Sequence, residues 1–397
     1  MPIINRIAEF HTDMTAWRRD IHAHPELGYE EHRTSDIVAA KLAEWGIAVH
    51  RGLAGTGVVG TLKGRGEGTR AIGLRADMDA LPMPEANTFD HASRHDGKMH
   101  ACGHDGHTTM LLGAARYLAE TRNFDGTVHF IFQPAEEGRG GGRRMIEEGL
   151  FRQFDCEQVY GLHNWPDLPA NTIAVHPGPV MAAADQFTIT VEGHGGHAAI
   201  PHKAVDPVLV AAHIVTAVQS LVSRFTDPAD SAVVSVTWVQ AGTAYNVIPD
   251  EAKLHGTVRT FNEATRARIE QQLGRMAESI AAGFGAKASL EFRPGYPPTV
   301  NTEAEARVVA AVAAKVVGET NVSWAPDPTM GAEDFGYMLR ERPGAYIWLG
   351  HGARGNDGHG GPGCRLHNPH YDFNDDILTT GASYWATLVE TILPRSA

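Results

Sequence analysis

The chain holds only three cysteines in 397 residues, Cys102, Cys156 and Cys364, so no disulfide framework is available to it. A reducing setting, the cytoplasm, is the expectation that follows. Runs of lysine and arginine are missing, and the net charge is −13, which excludes broad affinity for nucleic acid or anionic membranes. No apolar run is long enough to span a bilayer. The opening Met-Pro-Ile-Ile-Asn-Arg lacks a basic leader followed by an apolar segment, so no signal peptide is expected. Internal repeats and low-complexity stretches are also absent. What is present is a hydrophobic content of 43%, ordinary for a globular chain, and 22 histidines, several in short glycine-rich segments.

Alternation of strand-like and helix-like patterns points to an α/β fold in the first part of the chain. Ala71 to Leu74 reads as a strand ending in Arg-Ala-Asp-Met-Asp, Val128 to Phe132 as another, and Val159 to Leu162 as a third. Met110 to Leu118 carries a helical apolar pattern. From about Asp185 the pattern changes: strand at Gln186–Val191, helix at Asp206–Phe225, strands at Ala232–Val239 and Ala252–Phe261, helix at Glu263–Phe284, strand at Ala288–Phe292. That β-α-β-β-α-β order predicts a ferredoxin-like unit inserted into the α/β domain. The expected division is 1–184 and 298–397 for a catalytic domain of mixed or parallel sheet flanked by helices, and 185–297 for the insertion. In the last part, Ala304–Val317 and Ile377–Leu393 read as helices and Ala345–Leu349 as a strand. His351 to His370 is too rich in glycine and histidine for a regular element and reads as a loop that includes His359.

Chemistry gathers at the carboxyl ends of the strands. Phe-Gln-Pro-Ala-Glu-Glu places Glu136 and Glu137 just after a strand that Pro134 ends, at the edge of an α/β sheet where ligands bind. Neighbouring side chains on an extended segment point apart, so the two acids can take different tasks. His100-Ala-Cys-Gly-His-Asp-Gly-His107 offers a thiolate and imidazoles suited to a borderline metal such as zinc, although alone it reads equally well as a glycine-rich turn. Joined to His163 and to Leu366-His-Asn-Pro369, these donors exceed what one open tetrahedral site needs. Two metals about 3.5–4 Å apart and sharing a ligand would use them.

These segments, with Arg75-Ala-Asp-Met-Asp-Ala-Leu-Pro82, Gly193-His-Gly-Gly-His-Ala198, Tyr245-Asn-Val-Ile-Pro249 and Gly331-Ala-Glu-Asp-Phe335, cover almost the whole chain in order. The set resembles the M20 metallopeptidase and amidohydrolase family, in the branch of hippurate hydrolases, N-acyl-amino-acid amidohydrolases and auxin-conjugate hydrolases. The resemblance implies Cys102, His104, Glu137, His163 and His367 as ligands of two divalent metals, with Cys102 as the bridge. It implies Glu136 as the general base and His197 as the residue that approaches the substrate carbonyl, in its own or a partner's active site. Asn246 and Arg259 match positions near the substrate carboxylate, the arginine reading equally as a strand-surface salt bridge. Where many relatives begin with His-x-Asp, Arg75-Ala76-Asp77 stands here, so Asp77 is expected to orient a ligand rather than to be one. Asp105 and His107 are expected to flank the site, and His22 and His24 to be structural or near the rim.

The implied reaction is metal-dependent hydrolysis of an N-acyl amino acid, hippurate or N-acetyl type, by a homodimer joined through the inserted domain. Zinc, manganese, cobalt and nickel are all candidate metals, the thiolate favouring zinc. The alternative on the same fold is a metallo-dipeptidase or carboxypeptidase-like enzyme. Two rivals lie further off: a hydrolase with Cys102 as nucleophile, and a metal-binding protein without turnover.

Overall fold

A computed structural model describes residues 3–352 and 364–395, so His359 and most of the glycine-rich loop lie outside the described residues. The chain forms two compact units, one of Met1–Gly178, Val300–Asp327 and Tyr337–Ala397, the other of Pro179–Thr299 and Pro328–Gly336.

The first unit is built on an eight-stranded mixed sheet. In spatial order its strands are Ala48–Leu53, Gly57–Lys63, Thr127–Gln133, Ala71–Asp77, Gln158–Trp165, Gly344–Gly350, Ile173–Val175 and Val322–Trp324. The four central strands, Thr127–Gln133 to Gly344–Gly350, run parallel. Nearly every residue in them is buried, as expected where helices cover both faces of a parallel sheet. Their carboxyl ends therefore lie along one edge, in register: Asp77 pairs with Gln133, and His163 with Trp348.

The helix His104–Thr121 packs against the strand Ala71–Asp77 and against the helices His11–Ala23 and Leu378–Ile392. It begins six residues before the apolar pattern does, because its first turns bury His104, Asp105, His107 and Thr108. Gly103 caps it at φ 94°, a left-handed conformation, and a side chain there would run into Asn164 and the Tyr371 hydroxyl. Only glycine lets Cys102 and His104 sit on either side of so tight an entry.

The second unit has the expected ferredoxin-like order. Its antiparallel sheet runs Ala232–Ala241, Glu251–Thr260, Ala183–Glu192, Lys287–Tyr296. Ala183–Glu192 alternates buried and more open residues, which leaves one face for the helices Pro207–Val218 and Glu263–Gly283. Asp206 and Asn262 cap these helices by accepting hydrogen bonds from first-turn amides, and Pro207 stands in the first turn where its missing N–H costs nothing. A separate core of Phe187, Ile189, Ile214, Leu254, Val258 and Leu273 lies between sheet and helices.

Candidate active site

Four chain segments meet at the carboxyl edge of the parallel strands. Cys102, His104 and His163 bring one donor atom each to within 4.8 Å of one another, and so do Cys102, Glu137 and His367. The two sets share the Cys102 sulfur. A third set of His104, Glu136 and Glu137 places both acids beside them. Cys102 Sγ lies 3.3 Å from His163 Nε2, and His367 Nε2 lies 3.2 Å from Glu137 Oε1. All five metal ligands expected from the sequence therefore come together, with Glu136 alongside. Cys102, His104, Glu136 and His163 are buried, whereas the His367 side chain is 52% exposed.

The surroundings fix which nitrogen each imidazole offers. His104 Nδ1 donates to the Asp79 carbonyl at 2.9 Å, and His163 Nδ1 to the Asn164 carbonyl at 2.7 Å. Each ring then presents Nε2 as the free lone pair. Among the described residues His104 Nε2 is buried without a hydrogen-bond partner, and Glu137 Oε1 has none beyond its 3.2 Å approach to the His367 ring, a condition rare in folded proteins unless something else binds there. Burial opposes a charge on His104, yet Asp77, Asp79 and Glu137 outweigh it and raise its pKa to about 10. The surroundings thus call for positive charge at Nε2. Burial, with His107 next to it, holds His163 well below its ordinary value, in the neutral form that ligates. Burial, then Glu137 and Glu136, push the Cys102 thiol well up, so that only a nearby cation would make it a thiolate. Orphaned donors, a field asking for a cation and a soft shared sulfur fit two divalent ions.

Below the ligands lies a polar layer. Asp77 accepts from Arg75 Nη1 at 2.6 Å and from His107 Nδ1 at 2.6 Å, with His104 Nε2 3.7 Å away. His107 Nε2 lies 2.7 Å from the Asn164 side chain, which reaches the Tyr371 hydroxyl. Asp105 faces the other way and pairs with His22 Nδ1 at 2.8 Å. His22 is fully buried rather than at a rim, because that pairing and a 3.2 Å contact with Glu85 draw it inward.

Two residues with a part in the site carry no assignment from sequence. Asp79 accepts the amides of Glu136 at 3.0 Å and Glu137 at 2.9 Å, one on each oxygen. Glu31 accepts the Ala135 amide at 2.8 Å. Between them they hold a turn in which Ala135 adopts φ 57°, a strained value for a residue with a side chain. The one sequence signal for Asp79 is its place two residues beyond Asp77, on the same side of the extended chain.

In the second unit His197 pairs with Val247 across a short ladder, and Asn246 accepts the Ala198 amide at 3.0 Å. The Ala199 amide donates to His197 Nδ1 at 3.1 Å, which leaves Nε2 to carry the proton in the neutral ring. Arg259 lies on the sheet with its guanidinium bonded to the Thr257 hydroxyl and the Val258 carbonyl. Among the described residues it has no carboxylate partner within ion-pair distance.

The family described as Peptidase family M20/M25/M40 matches residues 73–391. The chain is 41% identical over 388 residues to a hippurate hydrolase of Campylobacter jejuni, covering 98% of each. It is 41% identical over 386 residues to an N-acetylcysteine deacetylase of Bacillus subtilis, covering 97% of this chain and 98% of that one. The crystal structure of the Bacillus subtilis YXEP protein, described as a dinuclear metal binding peptidase from the M20 family, superposes with a TM-score of 0.84 at 36% identity, over 97% of this chain and 99% of that one.

Proposed function

The chain belongs to peptidase family M20/M25/M40, and we propose that it hydrolyses the amide bond of an N-acyl amino acid to a carboxylic acid and a free amino acid. The observation that carries this reading is the pair of donor sets sharing Cys102, with Glu136 beside both and a member of neither. In it Cys102, His104 and His163 would hold one divalent cation, and Cys102, Glu137 and His367 the other. When bound, such cations polarise a carbonyl and lower the pKa of water from 15.7 toward about 7. Glu136 takes the proton of the attacking water and passes it to the departing nitrogen. His197, protonated at Nε2, is the donor for the oxygen on which charge develops. Arg259, a cation without a carboxylate among the described residues, and Asn246 receive the substrate carboxylate. Asp77 and Asp105 stand behind the ligands and orient them.

Hippurate and N-acetyl amino acids are the expected substrates, in line with the hippurate hydrolase and the N-acetylcysteine deacetylase that the chain resembles. The thiolate favours zinc, with manganese, cobalt and nickel as the other candidates. We also place the enzyme in the cytoplasm as a homodimer joined through the second unit; no helix among the described residues is long and apolar enough to cross a membrane. The reading with Cys102 as nucleophile is disfavoured by burial and by the neighbouring Glu137 and Glu136, which push its thiol pKa well up.

The test is a hydrolysis screen on metal-free protein reloaded with each of the four metals. Hippurate, N-acetyl amino acids and dipeptides form the panel. Cleavage of the N-acyl acids, abolished by chelator, is the expected result. Faster cleavage of dipeptides would move the chain to the peptidase reading. Chelator-insensitive activity blocked by thiol reagents would establish the cysteine mechanism instead.

A further inference from the structure

Arg18 is a fully buried guanidinium with no part in the chemistry above. From the helix His11–Ala23 it reaches three carboxylates supplied by distant parts of the chain. Nη1 donates to Asp372 Oδ1 at 2.7 Å and lies 3.5 Å from Asp105 Oδ2, while Nε donates to Asp375 Oδ1 at 2.7 Å. Burying such charges is tolerable only while they stay together, so the set behaves as one clasp.

Two of its three partners adjoin metal-ligand candidates. Asp105 follows His104 on the first turn of its helix. Asp372 lies five residues beyond His367, next to the buried Tyr371, whose hydroxyl accepts from Asn164 at 2.7 Å and whose carbonyl accepts from Asn87 at 3.0 Å. The His367 side chain is half exposed and its backbone is left-handed at φ 64°. Two backbone hydrogen bonds anchor this stretch near the ligand, His367 to the Ala101 carbonyl at 2.8 Å and Ala86 to the Pro369 carbonyl at 2.8 Å. Asp372 is the first buried charge after His367, and Arg18 and His91 are among its ion-pair partners.

We propose that Arg18 is a positioning residue: by holding Asp372 and Asp105 on one guanidinium it fixes the His367 segment against the helix start that carries His104, and so sets the separation of the two metal-ligand sets. The inference rests on the metal reading given above. It predicts an asymmetric effect. Cys102, His104 and His163 are buried on regular elements or at their ends, whereas His367 depends on its segment. Loosening the clasp therefore weakens the Glu137–His367 side and spares the other. Lysine does not substitute for arginine here, because a single ammonium cannot reproduce the forked contacts to Asp372 and Asp375.

The experiment is a stepwise zinc titration of the full chain against a chromophoric chelator, with the parent, Asp372→Asn and Arg18→Lys. Asp372→Asn is nearly isosteric and leaves Arg18 paired with Asp375, whereas Arg18→Met strands three buried carboxylates and is unsuited to the purpose. The expected result is a first equivalent bound as in the parent and a second bound about 10–100-fold more weakly, the range seen when the outer support of a ligand is removed. Amide hydrogen exchange across residues 366–372 should also quicken in the metal-free variants. Two normal equivalents in both variants would overturn the inference, as would an equal loss of both equivalents with a matching fall in Tm, which marks a merely structural role. A parent that binds fewer than two equivalents would overturn the dinuclear reading itself, a failure visible before any variant is made.

Discussion

Replacing Glu136 by glutamine separates the tasks of the two adjacent acids. The change keeps side-chain shape and removes the base. The turn should survive it, since the structure holds that turn by main-chain amides: those of Glu136 and Glu137 go to Asp79 and that of Ala135 to Glu31. A positioned general base is worth about 10²–10⁴ in rate, which at 1.36 kcal/mol per tenfold is about 3–5 kcal/mol of barrier. A second effect runs alongside. Glu136 has a carboxylate oxygen within 4.8 Å of donors from His104 and Glu137, and unit charges at that distance interact by about 3–4 kcal/mol at an effective dielectric of about 20. The variant will therefore hold its cations less tightly, and kcat must be read at saturating metal. The assay is turnover of an N-acyl amino acid, with metal content measured by elemental analysis on the same sample. Full metal content and kcat reduced by two to four decades is the expected outcome. A kcat within tenfold of the parent would show that Glu136 is not the base. Metal that cannot be restored at saturation would show that it is a ligand.

Cys102→Ala should lower metal stoichiometry by elemental analysis, because both donor sets contain its sulfur; an unchanged stoichiometry would remove Cys102 from the site. Glu31 offers a pH test. Burial lifts its carboxyl from 4.5 to about 7 against the hydrogen bonds it accepts from Thr56 and Ala135. A value raised on folding means that its contribution to stability is complete below pH 4.5 and is lost as pH rises through about 7, up to about 3 kcal/mol at 1.36 kcal/mol per unit. Denaturant melts of metal-free protein between those limits should show this decline in the parent and lack it in Glu31→Gln; parallel curves would refute the assignment.

How far the molecule can be read from its residues depends on the range of the contacts. Alternation in Gln186–Val191 announces a strand with one packed face, and Ala183–Glu192 has one. Asp206-Pro207 announces a helix start by local capping alone. The first turns of the helix at His104 escape that kind of reading. Their buried polar residues break the apolar pattern, and their partners, Asp77 for His107 and His22 for Asp105, are remote in sequence. Asp79 is similar, since its role exists only once the amides of residues 57 and 58 positions away arrive above it. The candidate ligands were legible as motifs. Of the residues behind them, Asp77 and Asp105 were legible through the resemblance, whereas Arg18 was not, because the Arg18–Asp372 pair spans 354 residues.

The order of the ligands along the chain has a consequence for biosynthesis. Cys102, His104 and His163 all precede the second unit, and His367 follows it. The elements that carry His104 and His163 nonetheless pack on the strand Gly344–Gly350 and the helix Leu378–Ile392, which are made after the second unit. The Glu137–His367 set is complete only when nearly the entire polypeptide has been released. In the dinuclear reading proposed above, a chain that ends within the second unit lacks His367 and so cannot complete the second donor set.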